Sequence, residues 1–125
     1  MGKRILIVDD DELVLIALQE LLKSRQFEVV TVSRGVEALK KLDEEGFDLM
    51  ILDIVMPEMD GFELCAKIRE KPNGRKTPII FLSAKNREED QRRGLEVGAD
   101  LFLSKPISPQ KLLDLIAEVM GQDRG

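Results

Sequence analysis

The fold is decided by the stretch Ile5-Leu6-Ile7-Val8-Asp9-Asp10-Asp11, in which four apolar residues are followed at once by three carboxylates. A short continuous apolar run is typical of a strand that is buried on both faces, as strands of a parallel sheet are. The acidic residues after it would lie at the carboxyl end of that strand, where open α/β sheets bind their ligands. This one segment therefore predicts the fold class and the place of a site.

Apolar runs of this kind alternate with amphipathic stretches along the chain. The predicted strands are Arg4–Val8, Glu28–Val32, Leu49–Leu52, Ile79–Leu82 and Leu101–Leu103. The predicted helices are Glu12–Ser24, Val36–Glu45, Phe62–Glu70, Arg87–Val97 and Pro109–Met120. This alternation predicts an α/β domain with right-handed crossovers. We expect one domain over residues 1–125, with a core at about 4–121 and a polar tail at 122–125.

Small polar residues and glycines mark the ends of the predicted helices. Asp11, Ser33 and Ser108 stand where a side-chain oxygen would cap the first, second and fifth helices. Gly46 and Gly98 stand where the second and fourth helices should end.

Two more interpretations concern packing. The fourth predicted helix has only Leu95 and Val97 as apolar anchors, so we expect it to be loosely held. Cys65 shares a helix face with Phe62 and Ile68, and we interpret it as a small core residue rather than a reactive thiol.

Composition excludes several kinds of chemistry. The 125 residues contain no His, one Cys and a net charge of −5. Without His, neither a Ser-His-Asp triad nor a His metal site can form, and a lone Cys suits a reducing cytoplasm. An acidic balance argues against nucleic-acid binding, and the apolar runs are too short to span a bilayer. We therefore predict a cytoplasmic domain whose chemistry depends on carboxylates, Lys and hydroxyls.

Polar residues follow several of the predicted strands. If strands one and three are neighbours, Asp9, Asp10 and Asp53 converge at one edge of the sheet. Two carboxylates about 4 Å apart repel by roughly 4 kcal/mol at an effective dielectric near 20, so a positive group should lie among them. Mg²⁺ suits such oxygens, and Ser83 and Lys105, after strands four and five, could bind a phosphoryl group. An Asp carboxylate can itself become an aspartyl phosphate.

The order of these parts resembles the response-regulator receiver domain of two-component signalling, of the chemotaxis-regulator type. The resemblance covers residues 4–121. It is carried by Ile5–Asp11, by Asp53-Ile54-Val55-Met56-Pro57-Glu58-Met59-Asp60-Gly61, by Phe81-Leu82-Ser83-Ala84 and by Lys105-Pro106. It implies a doubly wound (βα)5, flavodoxin-like domain with a five-stranded parallel sheet of order 2-1-3-4-5. It also implies a signalling phosphoacceptor rather than an enzyme.

The resemblance assigns roles to individual positions. Asp53 matches the phosphoacceptor, which takes a phosphoryl group and later loses it by autodephosphorylation. Asp9, Asp10, Asp53 and the backbone carbonyl of Val55 would hold Mg²⁺, with Mn²⁺ as a possible substitute. Ser83 matches the switch hydroxyl, and Lys105 the family lysine.

Further positions carry family roles that concern switching. Phe102 matches the aromatic switch residue, although a plain core Phe is the alternative. The bond before Pro106 would be cis, whereas sequence alone would favour trans. Val55 and Lys85 occupy the two positions that tune phosphoryl lifetime, and Val55 cannot orient a water, which predicts slow self-hydrolysis. Phosphorylation would change the face made by the fourth helix, fifth strand and fifth helix.

The same resemblance implies partners. The donor would be a sensor histidine kinase or a histidine phosphotransfer protein, and the output a downstream effector protein or a fused output domain. We expect no direct contact with nucleic acid or membrane, and either a monomer or a phosphorylation-dependent dimer.

The first helix has more apolar residues than one face can bury. At 100° per residue one side is centred on Val14, Ala17, Leu18, Leu21 and Leu22. Leu13, Leu15 and Ile16 would then lie outside this side, and we predict that they dock the phosphoryl donor. Ordinary scattered surface hydrophobes are the alternative.

Two other protein classes are alternatives to a receiver domain. Residues 9–11 satisfy the Asp-x-Asp motif of haloacid-dehalogenase-like phosphohydrolases, in which Asp9 would be the nucleophile. Against that stand the short chain, the absence of a cap domain, and Leu13 where Thr or Val is usual. A flavodoxin-like cofactor carrier is disfavoured because the acidic triplet would repel a flavin phosphate.

Overall fold

The computed structural model describes residues 2–121, so the predicted polar tail at 122–125 lies outside the described residues. Strands are β1 (Arg4–Val8), β2 (Glu28–Val32), β3 (Leu49–Leu52), β4 (Ile79–Ser83) and β5 (Leu101–Ser104). Helices are α1 (Glu12–Lys23), α2 (Gly35–Glu44), α3 (Gly61–Arg69), α4 (Glu88–Glu96) and α5 (Pro109–Gly121). A short 3-10 turn at Pro72–Gly74 follows α3. Within the described range, no helix is both long enough and apolar enough to cross a membrane.

All five strands form one parallel sheet in the order β2-β1-β3-β4-β5. The predicted fold class is therefore confirmed. In this order β1 lies between β2 and β3, with Val8 opposite both Val32 and Leu52. The residues that follow β1 and β3 therefore emerge side by side.

Both faces of the sheet are covered by helices. Because side chains alternate along a strand, Leu6 and Val8 enter one core while Ile5 and Ile7 enter the other. The first core is closed by α2 and α3, and the second by α1 and α5. Burial on both faces explains why β1 is a continuous apolar run.

The buried face of α1 differs from the prediction. Leu15, Leu18 and Leu22 are the buried residues of this helix, whereas Ala17 is exposed. The prediction that Leu15 points away from the core was wrong. Leu15 lies one turn from Leu18 and two turns from Leu22, so the centre of the buried stripe is closer to Leu15 than a projection at 100° per residue predicts.

Two details of α2 and α4 also differ from expectation. Ser33 does not cap α2, because Arg34 occupies the N-cap position and α2 begins at Gly35. Leu95 does not anchor α4: its side chain is 53% exposed, and the buried residues of that helix are Asp90 and Gly94.

Three predicted helix ends are confirmed. The Asp11 carboxylate accepts a hydrogen bond from the Leu13 N–H at 3.0 Å, and Ser108 Oγ accepts one from the Lys111 N–H at 3.1 Å. Gly98 follows α4 with φ of +113°, a conformation that favours glycine.

Candidate functional site

Three carboxylates meet where β1 and β3 end. One oxygen each from Asp9, Asp10 and Asp53 lies within 4.8 Å of the others. Asp9 and Asp53 are buried, with 3% and 8% of their surface exposed, whereas Asp10 faces solvent. The pairing of β1 with β3 produces this cluster, which opens to solvent on the Asp10 side.

Backbone N–H groups orient the two buried carboxylates. The Asp11 N–H donates to Asp9 Oδ1 at 2.8 Å, and the Ile54 N–H donates to Asp53 Oδ1 at 2.7 Å. The backbone of Asp53 is itself fixed, because its N–H donates to the Val8 carbonyl at 2.9 Å. Each buried carboxylate therefore has one oxygen held by the protein and a second oxygen that faces the cluster.

Lys105 supplies a positive charge to this cluster. Its ammonium Nζ lies 2.8 Å from Asp9 Oδ2 and 3.7 Å from Asp53 Oδ2. Lys105 follows β5, and the Lys105–Pro106 peptide bond is cis, as the family resemblance implies. The lysine thus offsets the repulsion that three clustered carboxylates would otherwise experience.

The pKa values of this pair reflect burial and mutual attraction. Burial raises the pKa of the Asp9 carboxyl above its usual value, although the Lys105 hydrogen bond works against that rise. Burial acts to lower the pKa of the Lys105 ammonium. The hydrogen bond with Asp9 and the charge of Asp53 outweigh it, so the pKa of Lys105 is raised. The lysine therefore stays charged at neutral pH.

Ser83 and Lys85 lie on the β4 side of the cluster. Ser83 is fully buried, and its Oγ accepts a hydrogen bond from the Lys85 N–H at 3.1 Å. Its hydroxyl proton is left for a second partner. The Lys85 ammonium is half exposed and lies 4.0 Å from Asp90 Oδ1.

Phe102 belongs to a chain of three aromatic rings. Its ring centroid lies 6.0 Å from that of Phe81, which is 5.6 Å from that of Phe62. Phe102 is only partly buried, and Gly94 of α4 packs against it. A Cβ at Gly94 would lie 3.0 Å from the Phe102 ring and 3.1 Å from the Phe81 ring, so glycine leaves space for both.

The surface around the cluster is partly apolar. Leu13, Ile16 and Val55 are exposed, with 77%, 48% and 61% of their surface accessible. Leu15, predicted to join them, is 8% exposed and packs in the core with α5 and the sheet. The large apolar residues of α1 that are exposed are thus Leu13 and Ile16.

Sequence reasoning missed two polar contacts near the site. Asp90 is buried, and its carboxylate accepts a hydrogen bond from the Arg87 N–H at 3.1 Å. A carboxylate at the third position of a helix was the available signal. The second contact joins Arg34 to Glu58, with Arg34 Nε 2.9 Å from Glu58 Oε1. No local pattern could have revealed a contact over 24 residues.

The carboxylate cluster fits a divalent cation. Mg²⁺ takes oxygen ligands and is usually held by one or two carboxylates while it keeps several waters. Asp10 offers an exposed oxygen beside two oriented, buried carboxylates, so this donor set suits the ion.

Comparison with known proteins identifies the family. The family model described as "Response regulator receiver domain" matches residues 5–117. The chain belongs to this family. Receiver domains are signalling modules that partner with histidine kinases and effectors, and the family generally binds Mg²⁺ at an acidic pocket. These findings give no support to the haloacid-dehalogenase alternative.

Among curated proteins, the chain is 43% identical over 112 residues to the alkaline phosphatase synthesis transcriptional regulatory protein PhoP of Bacillus subtilis (strain 168). That match covers 90% of this receiver domain and 46% of PhoP. The chain spans about half the length of the curated relatives it matches.

Solved receiver structures are also similar. A CheY-like receiver domain protein from Methanospirillum hungatei JF-1 has a TM-score of 0.91 and 33% identity, covering 97% of this chain and 95% of its own. The receiver domain of sensor histidine kinase PA1611 from Pseudomonas aeruginosa PAO1 has a TM-score of 0.90 and 28% identity, covering 98% and 100%. The latter structure holds a magnesium ion in its active-site cleft.

Proposed function

We propose that this receiver domain accepts a phosphoryl group on Asp53 from the phosphohistidine of a sensor histidine kinase or a histidine phosphotransfer protein. Asp9, Asp10, Asp53 and the Val55 carbonyl would hold Mg²⁺ there. The observation that carries this proposal is the position of Lys105, whose ammonium is within 3.7 Å of Asp53 Oδ2 and 2.8 Å of Asp9. A buried carboxylate beside a fixed ammonium and a metal-binding carboxylate pair provides a nucleophile together with charges for phosphoryl oxygens.

The transfer would be an in-line displacement. An Asp53 oxygen forms a bond to phosphorus while the phosphorus–nitrogen bond breaks, and the leaving imidazole keeps the electron pair and takes up a proton. Mg²⁺, when bound, supplies positive charge to the phosphoryl oxygens. Lys105 binds a phosphoryl oxygen as a point charge, and Ser83 donates the hydroxyl proton that its bond to the Lys85 N–H leaves free.

The lifetime of the phosphoryl group would depend on the residues beside it. Val55 is exposed next to Asp53 but has no polar atom in its side chain to orient an attacking water. We therefore propose slow autodephosphorylation. Lys85 occupies the second of the two positions that tune phosphoryl lifetime, and its ammonium lies 4.0 Å from Asp90 Oδ1.

The output would pass through Phe102 and the surface made by α4, β5 and α5. When Ser83 moves toward the phosphoryl group, Phe102 can repack because it is only partly buried. A downstream effector protein, a fused output domain or a second copy of the chain would then bind this surface. The exposed Leu13 and Ile16 would dock the phosphoryl donor. We propose that residues 4–121 form the core of one receiver domain that acts in the cytoplasm.

The experiment is phosphorylation by acetyl phosphate with Mg²⁺, followed by intact-protein mass spectrometry. The wild-type chain should gain one phosphoryl group and Asp53→Asn should gain none, because an amide oxygen is a poor nucleophile for phosphorus. Asp114→Asn, a change at an exposed acid on α5, is the matched control and should be labelled like the wild type. Persistent labelling of Asp53→Asn, or a phosphoryl group mapped to Asp9, would overturn the proposal.

A further inference from the structure

The loop between β3 and α3, residues 53–60, carries both Asp53 and Val55. The base of the loop, which we call its inner end, lies at the sheet. It is closed by a hydrogen bond in which the Gly61 N–H at the start of α3 donates to the Ile54 carbonyl at 2.8 Å. A Cβ at Gly61 would collide with the Asp53 carbonyl, so this approach requires glycine. Val55 comes directly after this pinned segment, on a part of the loop that projects from the sheet.

The tip of the loop, which we call its outer end, has an uncommon backbone conformation. Glu58 has φ of +72°, a left-handed conformation that side-chain-bearing residues adopt uncommonly. Such a conformation costs free energy and persists when surrounding contacts hold it in place. Two contacts with the start of α2 meet that requirement.

The first contact is an ion pair. Arg34 Nε and a terminal guanidinium nitrogen of Arg34 lie 2.9 Å and 2.7 Å from Glu58 Oε1. A guanidinium has only donors and cannot cap the N–H groups that begin α2, and the charged end of Arg34 instead contacts the loop. The pair therefore joins the start of α2 to the segment that follows Val55.

The second contact is packing. Met59 lies directly on Gly35, since a Cβ at Gly35 would be 2.9 Å from Met59 Sδ and 3.4 Å from Met59 Cβ. The loop thus rests on the first residue of α2 while Arg34, one residue earlier, binds Glu58. Ion pair and packing together form what we call the Arg34–Glu58 clasp.

We infer that the Arg34–Glu58 clasp holds the Val55 segment in the shape that binds the metal ion, so that Arg34 and Glu58 are positioning residues for a site they do not touch. This inference rests on the proposed function, because it takes the Val55 carbonyl as a metal ligand. A loop fixed at both ends needs little ordering when the ion binds, and affinity gains from that preorganisation. Loss of either partner should loosen the loop and weaken Mg²⁺ binding.

Charge alone makes a different prediction. Removing the positive Arg34 near an acidic site would tighten Mg²⁺ binding, whereas removing the negative Glu58 would weaken it. Positioning predicts that Arg34→Gln and Glu58→Gln both weaken binding. The sign of the Arg34→Gln effect therefore separates the two explanations.

The test is isothermal titration of the full chain with MgCl₂ at constant ionic strength. We expect Arg34→Gln and Glu58→Gln each to raise the Kd for Mg²⁺ by about twofold to fivefold, the range of an exposed ion pair. The exchanged pair Arg34→Glu with Glu58→Arg, which keeps net charge, should return the Kd to within about twofold of the wild type. Lys71→Gln, which breaks the comparable Lys71–Asp43 pair at 2.7 Å, is the matched control and should leave the Kd unchanged.

An unchanged or lower Kd in Arg34→Gln, or no recovery in the exchanged pair, would overturn the inference. Thermal unfolding of each variant in EDTA distinguishes a purely structural role of the clasp from a positioning role. A purely structural role would lower the unfolding temperature and leave the Kd of the folded protein for Mg²⁺ unaltered. Asp10→Asn serves as the reference for the metal site. If it binds Mg²⁺ as tightly as the wild type, the proposed metal site fails, and that outcome differs from failure of the clasp alone.

Discussion

At the scale of single residues, the pocket is arranged around the Lys105 ammonium, which comes from a residue 96 positions after Asp9. Lys105 contacts Asp9 at 2.8 Å and approaches Asp53, and the exposed Asp10 completes the cluster. The Asp11 side chain has a different role from those of Asp9 and Asp10. Its carboxylate caps α1, and the Asp11 backbone N–H donates to the Asp9 carboxylate. Adjacent aspartates in one triplet therefore have separate physical tasks.

This division predicts different effects for two neighbouring substitutions. Asp10→Asn should weaken Mg²⁺ binding by more than about tenfold, because it removes the charge of a proposed metal ligand. Asp11→Asn should change the Mg²⁺ affinity little, since Asn also caps helices well and its N–H still donates to Asp9. Calorimetric titration measures both. Equal Kd values for the two variants would contradict the assignment of Asp10 as ligand and Asp11 as cap.

At the scale of elements, α4 is the helix least attached to the core. Its only buried residues are Asp90 and Gly94, whereas α3 buries five. Asp90 holds the start of the helix through the Arg87 N–H, and Gly94 packs against Phe81 and Phe102. A helix attached by so few contacts, which begins five residues after Ser83, is suited to shift if Ser83 acts as the proposed switch.

The contact at Gly94 leads to a prediction about stability. Glycine to alanine inside a helix normally stabilises by about 1 kcal/mol. Here the new Cβ would lie 3.0 Å from the ring of Phe102 and 3.1 Å from the ring of Phe81, which is fully buried. Overpacking costs about 1 to 3 kcal/mol, so we expect Gly94→Ala to have a lower free energy of unfolding than the wild type.

Urea denaturation measures this difference. Gln91 is exposed on the same helix. The difference in stability between Gln91→Ala and Gln91→Gly therefore gives the effect of helix propensity alone, without contacts to the aromatic rings. If Gly94→Ala proved more stable than the wild type by the amount that separates the two Gln91 variants, the rings would not constrain this position.

Elements were predicted well where pattern and packing agree. All five strands were found within one residue. For β1, β3 and β4 the reason is that a run buried on both faces has no alternative place in an α/β domain, whereas the edge strands β2 and β5 are only partly buried. Leu15 and Leu95 were misplaced for a common reason. Where a helix lies is set by which neighbour it packs against, so its periodicity alone leaves the centre of the buried stripe uncertain by one residue. The contact of Gly94 with two rings leaves Leu95, its neighbour in sequence, facing solvent.

At the scale of the whole molecule, one buried thiol makes stability depend on alkaline pH. Burial raises the pKa of Cys65 from 9.0 to about 11, and its Sγ lies 3.5 Å from the Val97 carbonyl. The native state therefore keeps the proton while the unfolded state releases it. Stability is full below pH 9 and falls as pH rises toward 11, by on the order of 2 kcal/mol.

Urea unfolding across this pH range checks the prediction. Lys105, whose pKa is also raised, adds a loss of the same sign above its usual value of 10.5. Cys65→Ala should be less stable throughout because of the cavity it leaves, yet its stability should fall less steeply with pH. Parallel profiles for the two proteins would show that the thiol does not contribute to the slope.

The acidic residues of the site could be predicted from the sequence, but several of its contacts could not. Asp9, Asp10 and Asp53 were identifiable because strand ends of a parallel sheet share one edge. The carboxylate contacts of Lys105 and the Arg34–Glu58 clasp depend on the relative positions of separate loops. Such contacts are set by the packing of the complete sheet.

The bond between Lys105 and Asp9 spans 96 residues, nearly the whole described chain. During synthesis on the ribosome, the first strand emerges long before the last one, so a growing chain has its acidic residues but lacks their counter-charge. The pocket is completed when β5 docks beside β4 and Lys105, which follows β5, reaches Asp9. We therefore expect the acidic cluster of a growing chain to lack its lysine counter-charge until β5 has been synthesised and has docked on the sheet.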